Sequence, residues 1–168
     1  MSARVHMVCG LPGAGKTTYS ETLRRDLGAV RFSIDEWNGR LFFPDRHPTS
    51  DFNWFYERVQ RSCAQMRATA EQVLEAGVPV IFDCGLTDRK EREIFYDWAD
   101  GLGRAVVLHH LDVDAQTRWG RVERRNVERG ATFELEVTRD MFDFMETLWE
   151  APDAAEMASR NGVVAGRD

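Results

Sequence analysis

A glycine-rich segment near the amino terminus constrains the fold of this chain more than any other feature. Residues 10–17 read GLPGAGKT, which matches the pattern G-x-x-x-x-G-K-[ST] of a phosphate-binding loop. The apolar residues 5–9 precede it and predict a buried strand, while residues 16–27 follow with a helical pattern that stops at Gly28. Strand, glycine loop and helix in this order are the context the motif requires. The flanks therefore disfavour the alternative of a glycine turn that happens to precede Lys-Thr.

The residue types of this loop suit a nucleoside triphosphate bound with Mg²⁺. Glycines let backbone N–H groups approach phosphate oxygens with no Cβ in the way, and the helix N-terminus adds donors and a favourable dipole. Lys16 would place its charge on the terminal phosphates, and the Thr17 hydroxyl would ligate Mg²⁺. We predict an ATP site formed by nine consecutive residues, Gly10, Leu11, Pro12, Gly13, Ala14, Gly15, Lys16, Thr17 and Thr18.

Length and composition indicate one globular domain over residues 1–168. The net charge of −6 disfavours a general nucleic-acid binder, without excluding a local basic groove. No apolar stretch approaches the ~20 residues of a membrane span. Residues 1–4 lead directly into the first predicted strand, so we expect no signal peptide. The cysteines are odd in number and lack metal-ligand spacing, so we expect reduced thiols and a cytoplasmic protein.

Strand and helix patterns alternate along the rest of the chain. Strands are predicted over residues 29–34, 78–83 and 105–111, and more weakly over 163–165. Helices are predicted over 53–76, 87–98 (with Thr87 as N-cap), 115–128 and 138–148. Residues 37–51 are predicted to form a loop or a capping segment. This alternation predicts a parallel sheet covered by helices on both faces. Ligands of such sheets bind at the carboxyl ends of the strands.

Two acids stand at predicted strand ends. Asp83 closes an apolar run and is the predicted Mg²⁺ ligand beside Thr17, directly or through water; the alternative is an acid that caps the next turn. Asp35 ends the second predicted strand, on the acceptor side of the terminal phosphate. It would orient an acceptor hydroxyl and accept its proton, or else cap the following segment.

Arginines concentrate on the predicted helix 115–128. Arg118, Arg121 and Arg125 share one face, and Arg124 flanks them. Such clusters are usually solvated ion-pair faces, but this helix could also close over the nucleotide as a lid of about residues 115–135. An arginine would then lie against the transferring phosphoryl group. We predict Arg121 and Arg125 in this role.

Aromatic side chains concentrate in residues 37–55. They would either form an acceptor pocket or anchor a long loop by hydrophobic contacts. His109 and His110 alternate on a predicted strand, so one faces each side of the sheet. We interpret both histidines as packing residues.

Together these motifs resemble the small P-loop kinases grouped with polynucleotide kinase, chloramphenicol phosphotransferase, gluconate kinase and the zeta toxins. They look most similar to bacterial AAA-type ATP-binding proteins in that group. The matching pieces are GLPGAGKTT (10–18), FSIDEW (32–37), VIFDCGLTDRKERE (80–93), RWGRVERRNVERG (118–130) and FELEVTRDMFDFME (133–146). The resemblance thus spans most of the chain.

The resemblance implies a P-loop NTPase fold of three α/β/α layers, nucleoside-kinase-like, with a five-stranded parallel sheet in the order 2-3-1-4-5 and a helical lid. It implies ATP and Mg²⁺, Asp35 as the base, and Arg121 and Arg125 in the lid. One departure matters: many relatives carry Thr-Asn soon after the acid of strand 3, where this chain has CGLT at 84–87. The acceptor differs widely across the group.

The leading hypothesis is an ATP-dependent kinase that phosphorylates a hydroxyl of a small molecule. The absence of an N-K-x-D stretch favours ATP over GTP. One alternative is an ATP-hydrolysing switch module that acts on a protein partner. Another is a nucleic-acid 5′-hydroxyl kinase, which the net charge of −6 disfavours. We expect no membrane association, and the sequence leaves the oligomeric state open.

Overall fold

Five short strands form one parallel sheet in the computed structural model, which describes residues 4–130, 133 and 136–166. The strands are β1 (Val5–Cys9), β2 (Val30–Ser33), β3 (Val80–Asp83), β4 (Val106–Leu111) and β5 (Val163–Ala165). Their order is β2-β3-β1-β4-β5, which confirms the predicted sheet. Val5 of β1 lies between Val80 and Val106, so the strand that leads into the glycine loop is central.

Seven α-helices are described, with a 3₁₀ turn at Phe43–Asp45. They are α1 (Lys16–Leu27), α2 (Ile34–Leu41), α3 (Phe52–Glu75), α4 (Arg89–Gly101), α5 (Ala115–Glu128), α6 (Arg139–Leu148) and α7 (Ala154–Ser159). Six of them begin after a residue whose side chain accepts a backbone N–H three residues on, namely Ser33, Asp51, Asp88, Asp114, Thr138 and Asp153. These caps fix where each helix starts.

The side chains of β1 point alternately to the two faces of the sheet, so the core has two layers. Met7 and its neighbours at alternate positions face a large cluster that includes Met66 of α3 and Phe95 of α4. Val8 faces the other side, where Tyr19 and Leu23 of α1 pack. The sheet is therefore sandwiched between α1 on one face and α3 and α4 on the other, as the expected three-layer fold requires.

The structure corrects several predicted boundaries. Residues 37–51 are not a continuous loop, because helix α2 occupies residues 34–41. Strand β2 ends at Ser33, so Asp35 lies in the first turn of α2 and not at a strand end. The N-cap of α4 is Asp88 and not Thr87. Helix α7 was not predicted, since its six residues are too few for a recognisable periodicity.

The sequence also predicted reduced thiols, no membrane span and a lid of about residues 115–135. Cys9, Cys63 and Cys84 are free and buried. Within the described ranges, no helix combines the length and apolar character needed to cross a bilayer. Residues 131–132 and 134–135 of the predicted lid lie outside the described residues, and the second pair also belongs to the FELEVTRDMFDFME piece.

Candidate active site

The glycine loop connects β1 to α1 and packs closely against α5. Gly10, Gly13 and Gly15 all have positive φ, at 153°, 80° and 93°. A Cβ added at Gly13 would overlap the carbonyl oxygen of Arg118. Only glycine allows both this backbone conformation and this close approach.

Lys16 is the first residue of α1 and folds back over the loop. Its Nζ donates a hydrogen bond to the Leu11 carbonyl oxygen at 3.2 Å. Burial lowers the pKa of the Lys16 ammonium, while the carboxylates of Asp83 and Asp35 act in the opposite direction. The ammonium is thus held against the loop, where both acids favour its charged form.

The N-terminus of α1 is open to an anion. Its N-cap, Gly15, makes no side-chain capping bond, and the first turn of this fully described helix contains no acidic residue. Helix N-termini of this kind have unpaired N–H groups and a positive dipole end. A phosphate group would satisfy both.

A cavity of about 450 Å³ lies above the loop. It is lined by Gly10, Pro12, Gly13, Gly15, Lys16, Thr17, Thr18, Ile34, Asp35, Gly85, Thr87, Arg121, Val122, Arg124, Arg125, Glu128, Gly130, Val137, Met141 and Met145. Seven of the nine predicted loop residues are among them. Leu11 and Ala14, the other two, are buried and contribute backbone groups beneath the cavity.

The arginines of α5 divide into two groups. Arg121 and Arg125 line the cavity, and Arg121 Nη1 donates to the Ala14 carbonyl oxygen at 3.4 Å. The Nε of Arg125 is buried without a hydrogen-bond partner among the described residues. A buried donor of this kind is costly unless a ligand accepts its hydrogen bond.

Arg118 has a different environment from the other arginines on its face. It is buried and donates to the carbonyl oxygens of Val113 (2.8 Å) and Pro12 (3.4 Å). It also pairs with Glu146 of α6 and stacks over the Phe142 ring at 5.0 Å. Arg118 therefore connects α5 and α6 to the glycine loop.

The residues around the cavity fit a polyphosphate. A side chain at Gly13 would not fit beside α5, and the first turn of α1 contains no acidic residue. Lys16, Arg121 and Arg125 provide three cations around the same cavity, one with an unpaired buried donor. The donor set fits an anion of high charge density.

Asp83 lies behind the cavity, not in its lining. Its carboxylate accepts hydrogen bonds from Ser20 Oγ at 3.0 Å and Arg31 Nη1 at 3.1 Å, and the residue is only 5% exposed. Burial raises the pKa of Asp83, and the nearby Lys16 ammonium opposes that rise. Sequence reasoning missed Arg31, although an arginine inside an apolar strand pattern was a signal for a buried ionic partner.

No described His, Cys, Asp or Glu side chains form a group of three or more that could hold a metal ion. A Mg²⁺ ion here would therefore depend on phosphate oxygens, the Thr17 hydroxyl and water, with Asp83 reached through water. The assignment of Thr17 and Asp83 as Mg²⁺ residues stays a prediction.

The cavity continues from the loop towards the ends of β2 and β3. Asp35 is exposed in the first turn of α2, and Thr87 lies in the segment between β3 and α4. Helix α6 closes this side with Met141 and Met145. One cavity is therefore lined by both the exposed Asp35 carboxylate and the phosphate loop.

The aromatic residues of 37–55 lie elsewhere. Phe43 and Trp54 both pack edge-on against Phe55, and the Arg58 guanidinium lies 3.8 Å above Trp54. None of these aromatic side chains is among the described residues that line the cavity. These contacts favour the anchoring interpretation of this segment over an acceptor pocket.

The comparisons with known proteins agree with the fold. Over residues 5–148 the chain matches the model of the AAA domain family. No curated protein matches the chain in sequence. Kti12 from Chaetomium thermophilum, solved in complex with ADP-AlF3, is similar with a TM-score of 0.72 and 17% identity, over 96% of this chain and 88% of that chain.

Two kinases are similar in the same way. A sugar kinase from Janibacter sp. has a TM-score of 0.65 at 20% identity, over 97% of this chain and 84% of its own. The APS kinase of Mycobacterium tuberculosis, in complex with AMPPNP and APS, has a TM-score of 0.58 at 16% identity, over 80% of this chain and 76% of its own. Identities this low show a shared fold and nothing finer. The family model covers most of the chain, and the protein therefore belongs to the AAA domain family.

Proposed function

We propose that this protein is an ATP-dependent phosphotransferase that moves the γ-phosphoryl group of ATP to a hydroxyl of a small molecule. The observation that carries the proposal is one cavity lined by a phosphate loop, the unpaired donor of Arg125 and the exposed carboxylate of Asp35. Similar solved structures hold ADP-AlF3 or AMPPNP, which supports a nucleotide in this cavity.

The nucleotide side of the site is assigned to the loop and α5. Backbone N–H groups of residues 10–18 would bind the phosphates, with Lys16, Arg121 and Arg125 supplying positive charge. Thr17 would ligate Mg²⁺, and Asp83 would hold it through water. We assign residues 1–168 to a single domain, in which a lid of about residues 115–135 would exclude water.

The acceptor side is assigned to Asp35. ATP with Mg²⁺ supplies the γ-phosphoryl group, whose bond to the β–γ bridging oxygen breaks as the acceptor oxygen bonds to phosphorus, leaving ADP. Asp35 orients the acceptor hydroxyl and takes its proton, so the transferred group ends as a phosphate monoester. Because Asp35 is exposed within the cavity, it can return that proton to water after each turnover.

The substitution Asp35→Asn tests this assignment. We expect turnover to fall by roughly 10² to 10⁴ while ATP affinity stays within twofold. Asp45→Asn is the matched control, because Asp45 is an exposed acid outside the described cavity lining. Acceptor-dependent ADP release measures turnover, with acceptors drawn from sugars, nucleosides, antibiotics and oligonucleotides. Unchanged turnover in Asp35→Asn would remove the base assignment.

A switch module acting on a protein partner is the second candidate. Phe52 and Phe144 are 58% and 48% exposed and contact each other edge-on, so α3 and α6 present an apolar surface. Stimulation of ATP hydrolysis by a protein fraction, without a phosphorylated small product, would favour the switch. Stimulation by a small-molecule fraction favours the kinase. Transfer of label from ATP to a 5′-hydroxyl oligonucleotide would instead indicate a nucleic-acid kinase.

A further inference from the structure

The half of the cavity beyond the phosphate loop has a defined position in the sheet. Ile34 and Asp35 follow β2, and Gly85 and Thr87 follow β3. In the order β2-β3-β1, both strand ends lie on the same side of the loop that follows β1. Helix α6 is fixed over this side, because the backbone N–H of Glu150 just beyond it donates to the Thr87 carbonyl oxygen at 3.0 Å.

The walls of this half are mainly apolar. Ile34, which is buried, lines this half beside β2, and Val137, Met141 and Met145 line the cavity on and next to α6. Methionine side chains are unbranched and adapt to irregular apolar ligands. The polar side chains beside them are the Thr87 hydroxyl and the Asp35 carboxylate. A ligand body placed here gains by burying apolar surface.

The charges of the cavity are unevenly distributed. Lys16, Arg121 and Arg125 are the cations that the proposed function assigns to the polyphosphate. Arg124 and Glu128 also line the cavity with opposite charges, one helical turn apart on α5. Because the charge of Glu128 offsets that of Arg124, an anionic acceptor would meet the Asp35 carboxylate with little net positive charge left to balance it. Like charges at that distance disfavour binding.

We propose that the acceptor is an uncharged alcohol with an apolar body, whose hydroxyl faces Asp35 and whose body packs against Ile34, Met141 and Met145. The inference rests on the proposed function and narrows its substrate class. It excludes sugar acids, sulfated or phosphorylated alcohols and oligonucleotides as preferred acceptors.

Three alcohols that share one reacting group test this class. The probes are glycerol, glycerate and the phenyl ether of glycerol, each titrated by calorimetry into the full chain saturated with Mg²⁺ and a non-hydrolysable ATP analogue. We expect the phenyl ether to bind at least about tenfold more tightly than glycerol, because its ring leaves water for an apolar wall. Glycerate should bind most weakly. Equal or tighter binding of glycerol or glycerate would overturn the inference.

Two substitutions of Met145 test where the apolar body of the ligand binds. Met145→Gln should weaken phenyl ether binding about fivefold more than it weakens glycerol binding, because it places a polar group on the apolar wall. Met145→Leu keeps an apolar side chain of similar volume and should stay within twofold of the natural protein. Equal phenyl ether binding by both variants would place the body of the ligand elsewhere and overturn the inference.

A second measurement separates this inference from the proposed function. Each alcohol is incubated with ATP and Mg²⁺, and phosphorus NMR detects the phosphate monoester. Preferential binding of the phenyl ether without any monoester supports the apolar site and counts against phosphoryl transfer. Phosphorylation of glycerate in preference to the phenyl ether supports the transferase and overturns the acceptor class.

Discussion

Arg31 donates a hydrogen bond to Asp83 across the buried edge of the sheet, with Nη1 3.1 Å from Oδ2. The same guanidinium pairs with Glu36 of α2, and its Nε lies 3.7 Å from Glu21 of α1. One side chain therefore connects the end of β3 to the helix that follows the phosphate loop and to the helix that carries Asp35.

Removing Arg31 should destabilise the protein strongly. In Arg31→Met the Asp83 carboxylate stays buried with Ser20 as its remaining hydrogen-bond partner among the described side chains, so we expect a loss of about 3 kcal/mol in the free energy of unfolding. Urea denaturation measures the loss. Adding Asp83→Asn should recover much of it, because the uncompensated charge is then gone. A loss under ~1 kcal/mol in Arg31→Met would show that the pair is not a buried connection.

Gly13→Ala should abolish nucleotide binding, because the added methyl group overlaps the Arg118 carbonyl oxygen and the residue has φ of +80°. Gly28→Ala is the matched control. Gly28 also has positive φ, at 61°, but nothing lies within 4 Å of an added Cβ. It should cost about 1 kcal/mol of stability and leave nucleotide affinity unchanged. Calorimetric titration and thermal melting of both variants measure these effects, and normal nucleotide affinity in Gly13→Ala would contradict the packed loop.

The two histidines at the α1 face predict how stability depends on pH. His6 Nδ1 and His109 Nε2 are 3.0 Å apart, and the Tyr19 hydroxyl lies 2.8 Å from His109 Nδ1. Burial lowers the pKa of each histidine to about 4, with smaller contributions from Arg4 on His6 and from His6 on His109. Both values lie below the 6.5 of an unfolded chain, so the unfolded state binds more protons between pH 6.5 and pH 4.

The free energy of unfolding should therefore fall by roughly 5 kcal/mol for the two groups together as the pH drops from about 6.5 to about 4, and level off below pH 4. Urea denaturation at a series of pH values measures this slope. The double variant His6→Gln/His109→Gln should lose it, whereas His47→Gln, at an exposed position, should keep it. A slope that survives in the double variant would assign it to other groups.

Arg125→Ala should lower turnover by about 10³ without loss of fold stability, since its Nε has no partner to lose among the described residues. Arg124→Ala removes a cation that also lines the cavity but is exposed, and it should change turnover by less than about tenfold. Steady-state kinetics with the acceptor identified by screening compares the two. Equal effects would indicate a general charge requirement and not a specific donor.

The sequence predicted the parts of the fold that local patterns determine. Apolar runs located β1, β3 and β4, and the glycine motif located the loop between β1 and α1. The strand order came from the family resemblance, because periodicity does not specify which strands pair. Helix α2 was missed although Ser33 with two acids in the next turn is a capping signal, since Pro44 and Pro48 suggested a loop.

Contacts between distant residues escaped sequence reasoning. The spacing of Arg118, Arg121 and Arg125 put them on one face, but packing against α6 buries Arg118 and leaves the other two at the cavity. The pairing of Arg31 with Asp83 joins two strands fifty-two residues apart, as no local pattern could indicate. Both depend on tertiary packing, which overrides local pattern.

Calorimetric titration of the full chain with ATP and Mg²⁺, beside the Lys16→Ala variant, tests the central claim most directly. The natural protein should give a saturable heat for one site, and Lys16→Ala should lose at least about tenfold in affinity while its melting temperature stays the same, because it removes the ammonium above the loop. The absence of binding heat from the folded natural protein, or equal affinity in the variant, would contradict a phosphate-binding function for this loop.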